Sequence, residues 1–369
     1  MISTAEHRYL SSRITIISAM LFAGLFGVLT IFLSPGAVDG AVPLLPLRQL
    51  GHLLLSLLVL IWGSRLPFKC FQRAAVPGLA VSVLLLLYLP FSGHSINNMY
   101  GWYRWGGLSF QPSEPAKLFL VLVLAKLGCG KTSEWQRALL MSAVALMLGA
   151  ELYLQPDLGM LALYLAMVPV MLLLGRFAWY WSSGCAAGAA ALLGLTLCRF
   201  PYAWRRLTAF WHPELDPTGN AWHVMQFRFA ISRGGWFGAK SSGALWSSSY
   251  LPLAYNDSAF AAALECLGLL GILVPVAVIG LLYFTAFRLA EAPDLPEENR
   301  LVIRGATALL AIQSLLHISV NLTLLPPTGL PLPFFSYGGS SALSGALLLA
   351  AALSAGRPTT FPGRKADAL

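Results

Sequence analysis

The chain has 369 residues, 57% of them hydrophobic and only 11% charged. A soluble domain carries about 25% charged residues, so an ordinary cytosolic enzyme and a disordered segment are both excluded. The formal net charge of +9 would suit a nucleic-acid partner, but the charges lie between long apolar runs, as in a polytopic membrane protein, and no nucleic acid is expected to bind.

A bilayer core takes about 20 apolar residues per helix. Runs at 14–34, 47–64, 74–92, 112–127, 136–154, 157–175, 177–198, 258–287, 301–325 and 336–356 predict about ten transmembrane helices in an all-α fold. The first run is too long for a cleaved signal, and no small-residue cleavage site follows it. Arg8, Arg13, Arg65, Lys69, Arg73, Lys126, Lys131, Arg137, Arg176, Arg288, Arg300, Arg304, Arg357, Arg364 and Lys365 all fall on one side of this arrangement. That side is read as the cytoplasm, with both termini in it. Residues 1–369 thus read as one integral membrane domain, with 357–369 a short cytoplasmic tail. Cys70, Cys129, Cys185, Cys198 and Cys266 suggest neither a disulfide framework nor a metal spacing.

The connection 199–257, between the seventh and eighth spans, is a long extracytoplasmic loop that departs from the charge bias. It holds Arg199, Arg205, Arg206, Arg228, Arg233 and Lys240 against Glu214, Asp216 and Asp257. Long loops translocate despite their charge. A solvated surface and a site for an anionic ligand are both open readings.

Polar residues concentrate at the same outer face. Arg104-Trp105-Gly106-Gly107 leads into Gln111-Pro112-Ser113-Glu114-Pro115-Ala116-Lys117, where Ser113 fits an N-cap and Pro115 a first turn. Capping leaves Lys117 unexplained, because an ionisable pair with Glu114 inside an apolar helix faces a cavity or the bundle interior. Gln155-Pro156-Asp157-Leu158-Gly159 opens the sixth span, with Asp157 a candidate N-cap. Asp257 stands where the basic loop enters the eighth span, so an acid meets an anion-binding patch. An N-cap is again the plain alternative. Finally, Pro326, Pro327, Pro331 and Pro333 forbid a regular helix before Ser336-Tyr337-Gly338-Gly339. Unwound backbone at membrane depth persists only when buried in protein or lining a cavity.

With these segments in this order, the chain resembles the SEDS family of FtsW/RodA/SpoVE-type proteins. The resemblance rests on 104–117, 155–159, 251–260 and 331–340, with Arg205-Arg206, His212-Pro213 and the run Gln226 to Gly238 between them. It implies a peptidoglycan glycosyltransferase that polymerises lipid II into glycan strands outside the cytoplasmic membrane, serving elongation or division. It also implies work beside a class B penicillin-binding protein, the crosslinking transpeptidase, and other cell-wall machinery. The resemblance makes Asp257 the catalytic aspartate. Residues at the matching motifs become substrate-binding candidates: Arg104, Trp105, Gln111, Ser113, Glu114, Lys117, Gln155, Asp157, Arg205, Arg206, Gln226, Arg233, Lys240, Ser336 and Tyr337. Around Asp257 the chain departs from the family pattern, with Leu253, Tyr255, Asn256, Ser258 and Cys266 at positions the family fills differently.

In the mechanism this implies, Asp257 is general base on an acceptor hydroxyl and polyprenyl pyrophosphate leaves, with Arg205, Arg206, Arg233 and Lys240 as candidates to stabilise its charge. Arg205 or Arg206, together with Arg233, is expected to face a cavity shared with Asp257. No dedicated carboxylate cage for a divalent cation is visible, so metal-assisted and metal-independent transfer both stay open. The rival readings are a lipid II flippase and a non-catalytic scaffold for the penicillin-binding protein.

Overall fold

The computed structural model describes residues 4–34, 44–92, 94–96, 99–105, 108–239, 250–251 and 253–358. Among these, twelve α-helices and one three-stranded antiparallel sheet form. The first three helices are α1 (Thr4–Leu33), α2 (Leu45–Gly63) and α3 (Phe68–Ser92). Strands β1 (His94–Ile96), β2 (Met99–Trp105) and β3 (Leu108–Phe110) follow. Next come α4 (Ser113–Gly128), α5 (Glu134–Leu154), α6 (Leu158–Leu174) and α7 (Trp179–Arg199), then α8 (Pro201–Trp211) and α9 (Trp222–Gly234). The last three are α10 (Ala259–Arg288), α11 (Glu297–Asn321) and α12 (Gly339–Ala355).

Setting α8 and α9 aside, ten helices coincide with the ten apolar runs, in a polytopic all-α membrane fold. Their ends differ where polar residues continue a helix beyond its apolar part. α1 starts at Thr4 rather than 14, and α3 at Phe68 rather than 74. Hydropathy marks only the lipid-embedded length, whereas the backbone hydrogen-bond ladder carries on into polar residues.

Among the described residues, seven helices are long and apolar enough to cross a bilayer. The other three, α4, α6 and α12, have 16, 17 and 17 residues. That is about 25 Å of helix, short of a core of about 30 Å. These three are also densely buried along their length. Surrounded by other helices, they need not match the lipid thickness. α4 packs on α3, α5, α6, α11 and α12, while α12 also packs on α2 and α11. α7, by contrast, packs on α6, α5 and α8 and leaves most of its surface outward.

Three parts of the sequence reading need correction. Residues 94–96, 99–105 and 108–110 form strands, with Tyr103 paired to Phe110 and Trp105 to Leu108, in what reads in sequence as a short connection between spans. The alternating aromatics of β2 account for it: Tyr103 and Trp105 share one strand face, and their rings stack with centroids 5.5 Å apart. The Tyr103 hydroxyl donates to the Leu85 carbonyl at 2.7 Å and pins the sheet to α3.

Second, the long connection is partly helical. In α8, Ala203 and Ala209 are buried while Trp204, Arg205 and Trp211 are exposed. Pro201 stands at its start, where the missing N–H costs nothing.

Third, α10 is not one regular helix. Gly268 takes φ 69° and ψ 178°, and the turn after α9 inserts there. Leu269 and Leu270 donate their N–H groups to the Gly235 and Trp236 carbonyls at 2.9 and 3.1 Å. A Cβ on Gly268 would lie 2.2 Å from the Gly238 nitrogen, so this crossing admits only glycine.

Candidate active site

Four helices begin at the same end of the bundle, and interstrand-like contacts between their leading residues hold those starts together. Gln111, ahead of α4, donates its N–H to Ser340 Oγ at 3.2 Å and its Nε2 to Asp157 Oδ2 at 3.4 Å. Asp157 caps α6, accepting from the Met160 N–H at 3.0 Å, as its sequence position predicts. Tyr337, ahead of α12, donates its N–H to the Tyr255 carbonyl at 2.8 Å, and Tyr255 lies two residues before Asp257. The starts of α4, α6, α10 and α12 are thereby joined. Each helix start carries a partial positive charge of about half a unit, so their convergence favours an anion at this end.

Asp257 lies in this cluster. The N-cap position of α10 belongs to Ser258, so the Asp257 carboxylate is not engaged in ending the helix. Its backbone carbonyl is held by Asn321 Nδ2 at 3.0 Å, and the same Asn321 accepts the Ala261 N–H at 2.9 Å. The backbone is therefore fixed while Oδ1 is buried with no hydrogen-bond partner among the described residues. Burial pushes the carboxyl up to about 6; the Arg206 guanidinium pulls it back and Asp157 pushes it further up. A buried acceptor without a donor costs about 1–3 kcal/mol.

Of the paired arginines, Arg206 is half-buried and acts on Asp257, whereas Arg205 is exposed. Arg206 stacks over the Tyr202 ring at 5.0 Å and also lowers the neighbouring His223, which burial brings down to about 4. His223 is thus neutral at physiological pH. Gln226, one turn along α9, is buried, and its Oε1 has no partner among the described residues.

Several other candidates are occupied by the fold. Arg233 pairs with the fully buried Glu265 at 3.1 Å, which ties α9 to α10 beside the Gly268 break. Glu114 and Lys117 form a buried ion pair at 2.5 Å, and Lys117 Nζ also donates to Gln313 Oε1 at 2.8 Å. Gln313 Nε2 in turn donates to the Pro331 carbonyl at 2.8 Å. The pair therefore braces the unwound segment from beneath and has almost no surface to offer a ligand. Ser113 is the first residue of α4, with Pro112 in the cap position, so its expected capping role is corrected. Its carbonyl accepts from the Tyr164 hydroxyl at 2.5 Å. Gln155 donates to the Leu86 carbonyl at 3.0 Å and is buried. Arg104 and Trp105 lie exposed on β2, and Lys240 lies outside the described residues.

The segment 326–338 is unwound, as its prolines require. Ser336 closes a turn on Leu332, accepting its N–H at 3.0 Å. Tyr337 packs edge-on against both His52, at 5.4 Å, and Tyr255, at 5.6 Å. Sequence reasoning missed what fixes this segment. Gln49 of α2 donates to the Ser336 carbonyl at 3.0 Å and accepts the Gly338 N–H at 3.3 Å. His317 of α11 meets the Leu330 carbonyl at 2.7 Å. Gln49, Gln313, His317 and Asn321 are polar residues in membrane helices, and that alone was the available signal. Among the described residues, no three His, Cys, Asp or Glu side chains gather as a metal-binding group.

Comparison with known proteins agrees with this architecture. The family of cell cycle proteins that groups FtsW, RodA and SpoVE matches residues 12–357. A probable peptidoglycan glycosyltransferase FtsW from Halorhodospira halophila is 33% identical over 312 residues, covering 80% of this chain and 77% of the relative. A chain of a peptidoglycan synthase complex, described as coordinating polymerization and crosslinking, superposes with a TM-score of 0.76 at 27% identity, covering 94% of this chain and 96% of that one. The rod shape determining protein RodA of Thermus thermophilus gives 0.68 at 27% identity, over 94% and 95% of the two chains.

Proposed function

The chain belongs to the FtsW/RodA/SpoVE family of cell cycle proteins, and from that premise we propose that it is a peptidoglycan glycosyltransferase that polymerises lipid II at the outer face of the cytoplasmic membrane. The observation that carries this reading is the Asp257 carboxylate: one oxygen buried without a partner, beside Arg206, where four helix starts converge. Asp257 takes the proton from an acceptor hydroxyl as that oxygen attacks the anomeric carbon of the donor sugar. The bond from that carbon to the polyprenyl pyrophosphate oxygen breaks, and the pyrophosphate leaves with the bonding electrons. A positioned base of this kind contributes about 10²–10⁴-fold. Arg206 and the helix starts stabilise the negative charge that gathers on the leaving group.

The charge bias supports an outer-side location for Asp257, with both chain termini in the cytoplasm. The likeness to a chain from a peptidoglycan synthase complex supports a second element of the reading: the protein works beside a class B penicillin-binding protein that crosslinks the strands. The flippase reading is separated by one comparison. Purified protein given detergent-solubilised lipid II should make polymer, visible as a ladder on a gel. Movement of lipid II across vesicle membranes without any polymer would overturn the proposal.

A further inference from the structure

The opposite end of the bundle carries a second charged feature that the reaction above does not use. A cavity of about 480 Å³ opens between the first turns of α3, the last turn of α4 and the first turn of α11. Its walls are Lys69, Gln72, Arg73 and Val76 from α3, Lys126 from α4 and Glu298 from α11. Three cations therefore face one acid. That acid is already engaged, accepting from Gln72 Nε2 at 3.0 Å. Lys69, Arg73 and Lys126 have no ion-pair partner among the described residues.

The rule that positive residues stay on the cytoplasmic side explains why cations occur at this end. It does not explain why three of them, from two helices, line one cavity. Lys69 and Arg73 stand four residues apart, on the same helix face, where like charges repel and destabilise the helix. An anion between them relieves that repulsion. Val76 continues the same face three residues beyond Arg73 and is itself exposed, so the charged lining borders an apolar side chain at the bundle surface. This is the profile of an amphiphile with a phosphate head. Basic pockets between transmembrane helices on the cytoplasmic side are known to take anionic headgroups, and the Arg73 guanidinium supplies the planar fork that fits two phosphate oxygens.

We propose that the cavity bounded by Lys69, Arg73 and Lys126 binds a phosphate group, of a lipid headgroup or of a soluble anion, held at the bundle end remote from Asp257. Its cytoplasmic location rests on the sidedness argued above; the binding itself does not depend on the catalytic reading. The test uses the full-length protein in neutral detergent, titrated with phosphatidylglycerol or with phosphatidylcholine and followed by native mass spectrometry. One variant combines Lys69→Gln, Arg73→Gln and Lys126→Gln. A control combines Arg65→Gln, Lys131→Gln and Arg176→Gln, which removes equal charge from the same end outside the cavity. The native protein is expected to bind its first phosphatidylglycerol at least ten-fold more tightly than phosphatidylcholine. The cavity variant should lose that preference while the control keeps it. A parallel titration with inorganic phosphate and pyrophosphate separates the sources. Competition at millimolar concentration by the free anions assigns the headgroup phosphate as the recognised group, and tight binding of a free anion alone assigns a soluble ligand. Equal loss in both triple variants would mean diffuse attraction, and no loss in either would mean no site; each overturns the proposal. Arg73→Lys, which retains charge and disturbs folding least, should weaken binding by itself if the fork is used. Because lipid II polymerisation is not the readout, failure here leaves the catalytic assignment untouched, and failure of that assignment leaves this test intact.

Discussion

As the proposed base, Asp257 is expected to set the pH dependence of the reaction. Its carboxyl is pushed up to about 6, chiefly by burial, and a general base works only when ionised. Polymerisation measured as kcat/KM should therefore rise with pH through about 6 and level off above 7. Arg206 holds the carboxyl down, so Arg206→Gln should move that acid limb to higher pH as well as slow the reaction. Arg205→Gln, at an exposed position on the same helix, should leave the limb in place. The same carboxylate bears on stability with the opposite sign. Its folded value lies above the unfolded value of about 3.9, so the native state weakens as pH rises from about 4 to 6 and gains nothing back above that. Asp257→Asn should unfold later than the native protein at pH 7.5, by about 1–3 kcal/mol, with the difference fading below pH 4. Thermal melts in detergent at the two pH values read this directly. Asp257 stood out as a candidate in the sequence because an acid ended a basic loop. Asn321 and Gln49 were not, since a single amide in an apolar helix announces burial but not its partner.

At the scale of elements, the unwound segment before α12 depends on braces from three helices. Gln49 holds it from α2, Gln313 and His317 from α11, and the Glu114–Lys117 pair stands behind Gln313. Removing one member of a buried ion pair leaves the other charge stranded, at a cost of about 3–5 kcal/mol. Lys117→Met should accordingly cut the yield of folded protein sharply, whereas Lys117→Met combined with Glu114→Gln should recover much of it. Size-exclusion profiles after membrane extraction would show both. Gln49→Ala should be milder for folding. It frees the Ser336 carbonyl and the Gly338 N–H, so amide hydrogen exchange should accelerate at 336–338 while α12 stays protected. The prolines made this segment's irregularity readable. The break in α10 was not readable, because Gly268 sits in an apolar run whose one charged residue is Glu265, and the turn that follows α9, up to Gly238, is what interrupts the helix there.

For the whole molecule, apolar run length was enough to give ten helices. It could not give α8, α9 or the β1–β3 sheet, because water-facing elements carry no twenty-residue signal and their order comes from packing on the bundle. Nor could it show that α4, α6, α10 and α12 start at one place, which depends on contacts between segments far apart in sequence. In the proposed function, that convergence is what makes the buried acid a site. The central claim is that Asp257 acts as the base there, and the most direct measurement is the rate of glycan strand formation from lipid II by purified native protein and by Asp257→Asn, with the crosslinking partner present for both. The account predicts ladders of polymer from the native protein and a rate at least about 100-fold lower from the variant, with both proteins folded and bound to the partner alike. Polymer at the native rate from Asp257→Asn would contradict it.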